Sequence, residues 1–291
     1  TRILKQLYPD VPVILGGIEA SLRRLTHYDY WKDRLRPSIL VESGADMLVY
    51  GMGEKPLTEL CRLLKREIPF STLTNIPQTC VLRNKTGNYA TNKKWKVIHL
   101  FSHEECLKDK KKHARNFRFI EEESNSLEAA KLVQNVGDLQ VIVNPPYPPM
   151  TTAEIDAVYA LPFTRLPHPR YKGKDIPAYN MIRHSLTLHR GCFGGCAFCT
   201  ISAHQGKFIS SRSKESILKE VGQITRMADF KGYISDLGGP SANMYKMHGD
   251  DLDLCKKCVR SSCLHPKPCK NLKNDHRPLI DIYKSADSIH G

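Results

Sequence analysis

Long hydrophobic runs are missing from this 291-residue chain. No stretch approaches the roughly 18 consecutive apolar residues that a membrane-crossing helix needs. A basic-then-apolar leader is also missing. These absences argue against a membrane and against secretion, and a cytoplasmic location is the expectation. Internal repeats and low-complexity tracts are lacking too, which leaves ordinary domain architecture. No initiator Met precedes Thr1, and no terminating motif closes the chain at Gly291, so a piece of a longer protein is expected. Acidic residues are scarce beside basic ones, 30 against 44, for a formal net charge of +14. The excess gathers at 83–118, with eleven Lys or Arg against three acids, and at 255–277, with seven against one. Such a face suits RNA, DNA or an anionic cofactor as well as plain solvent. No RNA-binding motif accompanies it.

What is present is enough apolar material, 41% of residues, for one large domain or two ordinary ones. Val11 to Leu15 is a short buried-strand pattern that stops at Gly16-Gly17, and Ala45 to Tyr50 is another that stops at Gly51-Met52-Gly53. Leu57, Leu60, Cys61 and Leu64 then recur at helical spacing, with Pro56 in the tolerant first turn. Strand, glycine turn and helix form the unit of a doubly wound α/β sheet, whose ligands lie beyond the carboxyl ends of the strands.

The middle of the chain predicts a strand at 97–100, a polar helix from His103 to about Glu122, a helix from Leu127 to Val136 and a strand at 141–143. Thr151 with Glu154 forms a capping box for a helix through Ala160. Residues 162–180 are rich in proline and read as a connector. From Ser185 the α/β pattern resumes with a β-rich run at 186–188. A helix follows, capped by Ser213, with Ile217, Leu218, Val221, Ile224 and Met227 on its apolar face. A strand over 232–237 ends in Gly238-Gly239-Pro240. The expected organisation is α/β throughout: a Rossmann-like segment at 1–68, a connector region at 69–183 and the start of a β/α barrel at 184–291.

Ten cysteines in a chain that is neither small nor visibly secreted point to metal before disulfides. Cys61, Cys80 and Cys106 are scattered; the other seven fall in two groups. Cys192, Cys196 and Cys199 stand in a CxxxCxxC run with Gly191, Gly194 and Gly195 among them. Glycines let a loop turn tightly around an iron–sulfide cube. Three thiolates, with no fourth before Cys255, leave one iron of a [4Fe–4S] cluster open to a substrate or cofactor. A zinc knuckle completed by His189 or His204 is the bland alternative, but zinc ligands usually pair as CxxC.

The run, with Phe198 before its last cysteine, resembles the signature of the radical S-adenosylmethionine (SAM) superfamily. The wider text RGCFGGCAFCTISAHQGKFISSRS (190–213), with DLGGPSANMY, IVNPPYPPMT, VILGGIEASLRR and HYDYW, resembles the YgiQ-type radical SAM proteins. The likeness extends through essentially the whole chain. It implies a cluster held by Cys192, Cys196 and Cys199, SAM on the fourth iron, reductive cleavage of SAM to a 5′-deoxyadenosyl radical, and a reductant such as flavodoxin or ferredoxin. It also implies that Gly238 and Gly239 meet the SAM amino group, as the superfamily's GGE element does. Here Pro240 replaces the acid, so backbone carbonyls would have to accept those hydrogen bonds. Arg190 and Lys207 stand where they could balance cluster or SAM charge, or be plainly solvated. The catalytic residues and the substrate stay unassigned, because substrate contacts in such barrels lie on later strands. Six βα units take roughly 200 residues, whereas fewer than 100 follow Cys199; the chain alone is therefore expected to hold a cluster poorly.

Cys255, Cys258, Cys263 and Cys269 form a second set of four thiols, with His265 a competing ligand. Four suffice for zinc or for an auxiliary iron–sulfur cluster, and reduced or disulfide-linked cysteines are the alternative. The N-terminal strands look like those of a cobalamin-binding domain, although the DxHxxG signature is not in the chain. A different function class also fits the composition: a basic zinc protein that binds nucleic acid without catalysis.

Overall fold

A computed structural model describes residues 1–86, 92, 94–240 and 242–289. Residues 87–91 and 93, inside the basic stretch 83–118, and the chain end at 290–291 lie outside the described residues. The elements run α1 (Arg2–Leu7), β1 (Ile14–Leu15), α2 (Gly17–Leu22), β2 (His27–Asp29), β3 (Arg34–Arg36), α3 (Ile39–Ser43), β4 (Met47–Val49), α4 (Glu54–Leu64), β5 (Thr79–Asn84) and β6 (Val97–His99). Next come α5 (His103–Lys108), α6 (Lys110–Ser124), β7 (Lys131–Val136), β8 (Leu139–Val143), α7 (Thr152–Tyr159), α8 (Pro177–Ile182), β9 (Ser185–Thr187) and β10 (His189–Arg190). The chain closes with α9 (Ile201–Gln205), β11 (Ser210–Ser211), α10 (Lys214–Ile224), β12 (Asp236–Gly238), β13 (His248–Gly249), α11 (Leu252–Lys256), β14 (Leu272–Lys273) and α12 (Arg277–Asp287). The protein is α/β, and no helix among the described residues is long and apolar enough to cross a membrane.

Two compact units divide the chain. The first comprises Thr1–Pro148 with two later segments, Cys196–Gly206 and Leu252–Ser262. Its sheet has the order β1-β4-β5-β8-β7-β6, so it takes strands from both sides of residue 68. Parallel pairs stand at its two ends, β1 with β4 and β6 with β7, around an antiparallel centre. Side-chain alternation along each strand covers both faces. Leu48, Cys80, Leu132, Val141 and Val143 pack with Leu25 and Leu40 in one core. Met47 and Val81 pack with Leu60, Leu73 and Ile76 in another. This double burial is why β4 reads as an unbroken apolar run.

Two expectations in the middle change. The segment predicted as a helix over 127–136 carries β7 instead, hairpinned to β8 through Gly137 and Asp138, with Val136 opposite Leu139. Gly137 adopts φ +54°, the left-handed turn conformation that glycine permits. The polar helix from His103 breaks at Asp109 into α5 and α6. There the Asp109 backbone is extended and its carboxylate accepts the Lys111 N–H at 2.9 Å, starting a new helix. The Thr151–Glu154 capping box opens α7, and Ser213 caps α10.

The second unit comprises Pro149–Gly195, Lys207–Asp251 and Cys263–Gly291. Here β9 pairs in parallel with β12, and α10 lies between them in the chain. Ile217, Val221 and Ile224 of α10 pack on Leu186 and Leu188, joined by Leu279 and Ile282 of α12.

Candidate cluster loop and its supports

The strand β10 leads into the cysteine run and pairs antiparallel with β11, His189 opposite Ser211 and Arg190 opposite Ser210. This short ladder closes the base of the loop at 191–209. Gly191 and Gly195 hold φ of +90° and +60°, conformations that residues with a Cβ rarely adopt. The three cysteines differ in placement. Cys192 is buried and belongs to the second unit, while exposed Cys196 and half-buried Cys199 belong to the first. The Cys199 N–H donates to the Cys196 carbonyl at 3.0 Å. Phe198 is 91% exposed, so its ring stabilises none of this by burial.

Thiols in this number and kind fit three irons of a four-iron cluster. Among the described residues, however, no three Cys, His, Asp or Glu side chains stand close enough to hold a metal together. The same holds for the second group. Cys255 and Cys258 fall in the first unit, linked by a Cys258 N–H to Cys255 carbonyl bond at 3.2 Å. Cys263 and Cys269 fall in the second, linked by Cys269 N–H to Cys263 carbonyl at 2.7 Å. Cys263 N–H also donates to the carbonyl of Phe193, the neighbour of Cys192, at 3.0 Å. None of the ten cysteines is in a disulfide.

The Gly238-Gly239 turn is tied into the second unit by side chains that sequence reasoning passed over. The Gly238 carbonyl accepts the Leu188 N–H at 2.8 Å. Gly239 N–H donates to Asn243 Oδ1 at 2.9 Å, and Asn243 Nδ2 donates to the Tyr283 hydroxyl at 3.0 Å. His189, fully buried on β10, accepts the Met244 N–H on Nε2 at 3.0 Å. Built onto Gly239, a Cβ would stand 2.0 Å from that same nitrogen. Packing therefore demands glycine here before any ligand is considered. The signal in the sequence is His189 itself, which fills the space beside Gly239 and not a zinc site. Arg190 donates to the Tyr159 hydroxyl at 3.3 Å, and Lys207 is buried with its ammonium 5.4 Å from the centre of the Phe208 ring.

Burial pushes the His189 imidazole down to about 4, against the opposing pull of backbone contacts at Ala242 and Arg190. A neutral ring is what the Met244 bond requires, since imidazolium has no acceptor. The unfolded chain protonates this histidine near pH 6.5. Between there and about 4 it therefore carries one more proton than the folded chain, and stability falls as pH falls. Thermal unfolding at pH 7 and pH 5 should show this loss in the wild type and a flatter response in His189→Gln. Equal pH slopes in the two proteins would remove His189 as the cause.

A family model described as Radical SAM N-terminal matches residues 1–185. The chain belongs to the Radical SAM N-terminal family. It is similar to a UPF0313 protein of Porphyromonas gingivalis, 63% identical over 289 residues, covering 99% of this chain and 45% of that protein. It is likewise similar to a UPF0313 protein of Bacteroides thetaiotaomicron, 60% identical over 306 residues, covering 100% and 48%. A UPF0313 protein of Geobacter sulfurreducens is 48% identical over 272 residues, covering 94% and 44%. The chain thus spans about half the length of these relatives.

Proposed function

We propose that this chain supplies the cluster-binding part of a radical SAM enzyme of the YgiQ type, with Cys192, Cys196 and Cys199 as ligands of a [4Fe–4S] cluster. The observation that carries the reading is the donor set: three thiols at CxxxCxxC spacing, with left-handed glycines beside the first two. Membership of the Radical SAM N-terminal family supports it. When bound, the cluster with SAM supplies one-electron cleavage of the sulfonium and so a radical able to take hydrogen from an unreactive C–H bond.

The chain's own residues do the holding. Gly191 and Gly195 give the loop its tight turns beside Cys192 and Cys196, and the β10–β11 ladder closes the loop's base. The turn at Gly238 and Gly239 offers backbone to the SAM amino group. Since the Gly238 carbonyl already serves Leu188, the Gly239 carbonyl is the better acceptor. Cys255, Cys258, Cys263 and Cys269 are read as a second metal set, for zinc or an auxiliary cluster, and the reductant as a small flavodoxin or ferredoxin.

Anaerobically purified full-length protein is expected to be brown, with a band at ~400 nm and about four irons and four acid-labile sulfides per primary cluster. It should form 5′-deoxyadenosine from SAM under reduction. Alanine at any one of Cys192, Cys196 or Cys199 should abolish product and most of the colour. A colourless, iron-free wild type would end this reading, and zinc alone with salt-sensitive RNA binding would replace it with a basic nucleic-acid protein. Assay of the same preparation for cobalt tests corrinoid binding by the first unit.

A further inference from the structure

We infer that the first unit anchors the distal half of the cysteine loop, with Ser21, Gly51 and His204 as positioning residues for Cys196 and Cys199. This rests on the cluster reading above and goes beyond it by giving the N-terminal unit a task. Residues 196–206 pack with that unit. Within them, α9 is one turn of five residues, far too short to be helical by itself. What holds it is packing on α2 and α6.

A polar socket, with Ser21 and Arg24 buried and His204 half-buried, makes the attachment specific. His204 Nδ1 lies 3.1 Å from Ser21 Oγ. That hydroxyl donates to the Gly17 carbonyl at 2.9 Å and accepts the Gly51 N–H at 3.0 Å. Its one hydrogen is thus spent, so His204 must be the donor, with its proton on Nδ1. A Cβ on Gly51 would stand 2.9 Å from the His204 carbonyl, and Gly51 has φ +67°. Only glycine there lets the end of β4 approach α9 so closely. Arg24, buried beneath, donates to the Ser21 carbonyl at 2.5 Å and to Ser124 Oγ at 2.9 Å, and lies 4.7 Å from the centre of the Tyr50 ring. Burial, then the charge of Arg24, lowers the His204 pKa, which suits a neutral donor. Cys199 stands two residues before α9 and is hydrogen-bonded to Cys196. Fixing the helix therefore fixes the turn that carries both thiols.

The test compares full-length wild type with Ser21→Ala, His204→Ala, His204→Asn and, as a control for stability alone, Asn144→Ala. Asn144 is buried in the same unit; its side chain bonds to Thr74, Ile76 and Thr79, outside the socket, and its backbone carbonyl, which accepts the Tyr50 hydroxyl, is kept in the variant. Hydrogen exchange of residues 201–206 in metal-free protein should quicken about tenfold in Ser21→Ala and His204→Ala, the equivalent of one lost hydrogen bond. Iron retained after anaerobic reconstitution should fall to about half or less. Asparagine, which keeps an N–H at the δ position, should restore both, and Asn144→Ala should leave both near wild type. Unchanged exchange and iron in Ser21→Ala and His204→Ala, or equal losses in Asn144→Ala, would overturn the inference while the cluster reading stands. An iron-free wild type would take down both.

Discussion

Alanine in place of Glu220 is expected to destabilise the second unit by about 3–5 kcal/mol, the cost of stripping a buried charge of its partner. Glu220 on α10 lies between two arginines. Its side chain is 12% exposed, against 1% for Arg212 and 21% for Arg165, and it pairs with both. Arg212 cannot escape by losing its proton. Burial lowers its pKa only to about 10, so it stays charged at neutral pH. Nor can it swing to solvent. Its guanidinium also donates to the Thr187 carbonyl at 3.1 Å and the Ser216 carbonyl at 3.0 Å, and lies 4.2 Å from the centre of the Tyr159 ring. One cation thus joins β9, α10 and α7. Glu220 lines a groove of about 820 Å³ with Tyr159, Arg165 and Lys219. Water entering there sets the cost nearer the lower figure. Glu220→Gln keeps an acceptor and should lose roughly half as much. Against a total stability of about 5–15 kcal/mol, the alanine variant should show a large fall in the urea midpoint. A change within about 1 kcal/mol, the worth of an exposed pair, would mean the three charges are solvated.

Signals confined to a few neighbouring residues are legible in the sequence alone. The capping box at Thr151 and Glu154, the Ser213 cap, the apolar stripe of α10 and the short strands at β1 and β4 all rest on contacts within one helical turn or one strand. The hairpin of β7 and β8 has a local signal, Gly137-Asp138 between two alternating runs, but the apolar spacing of 127–136 also fits a helix. Other features have no local signal. Ser21 and His204 are 183 positions apart, and Thr26 meets Gln134 across 108. Nothing near either residue marks the pairing. The cysteine spacing showed which chemistry to expect, but not that Cys192 would fall in one unit and Cys196 in another. Spacing records donor type and loop length; the division depends on what the intervening residues pack against.

The glycine pair 238–239 carries the sharpest test of what such a motif means, because resemblance and packing explain it differently. Gly239→Ala is expected to cost about 3 kcal/mol, the upper end for overpacking a core. The added carbon would stand 2.0 Å from His189 Nε2, 2.3 Å from Cε1 and 2.8 Å from the Ala242 carbonyl. The imidazole is fully buried and bonded to Met244, so it has nowhere to retreat. Gly238→Ala meets the Asn243 side chain at 2.5 Å instead. Asn243 is exposed and can rotate away, so that variant should lose only its bonds to Gly239 and Tyr283, about 1 kcal/mol. Combining Gly239→Ala with His189→Ala separates the explanations. If the ring alone forbids a side chain, the double variant should be more stable than the sum of the two single losses by at least about 1 kcal/mol. In that case SAM binding by the double variant, measured on cluster-loaded protein, should be close to that of His189→Ala. Strict additivity of the losses would deny that the ring sets the cost and leave it to the Ala242 carbonyl. Selective loss of SAM binding in a double variant that folds would return Gly239 to the cofactor, as a place where backbone and ligand must meet without a Cβ between them.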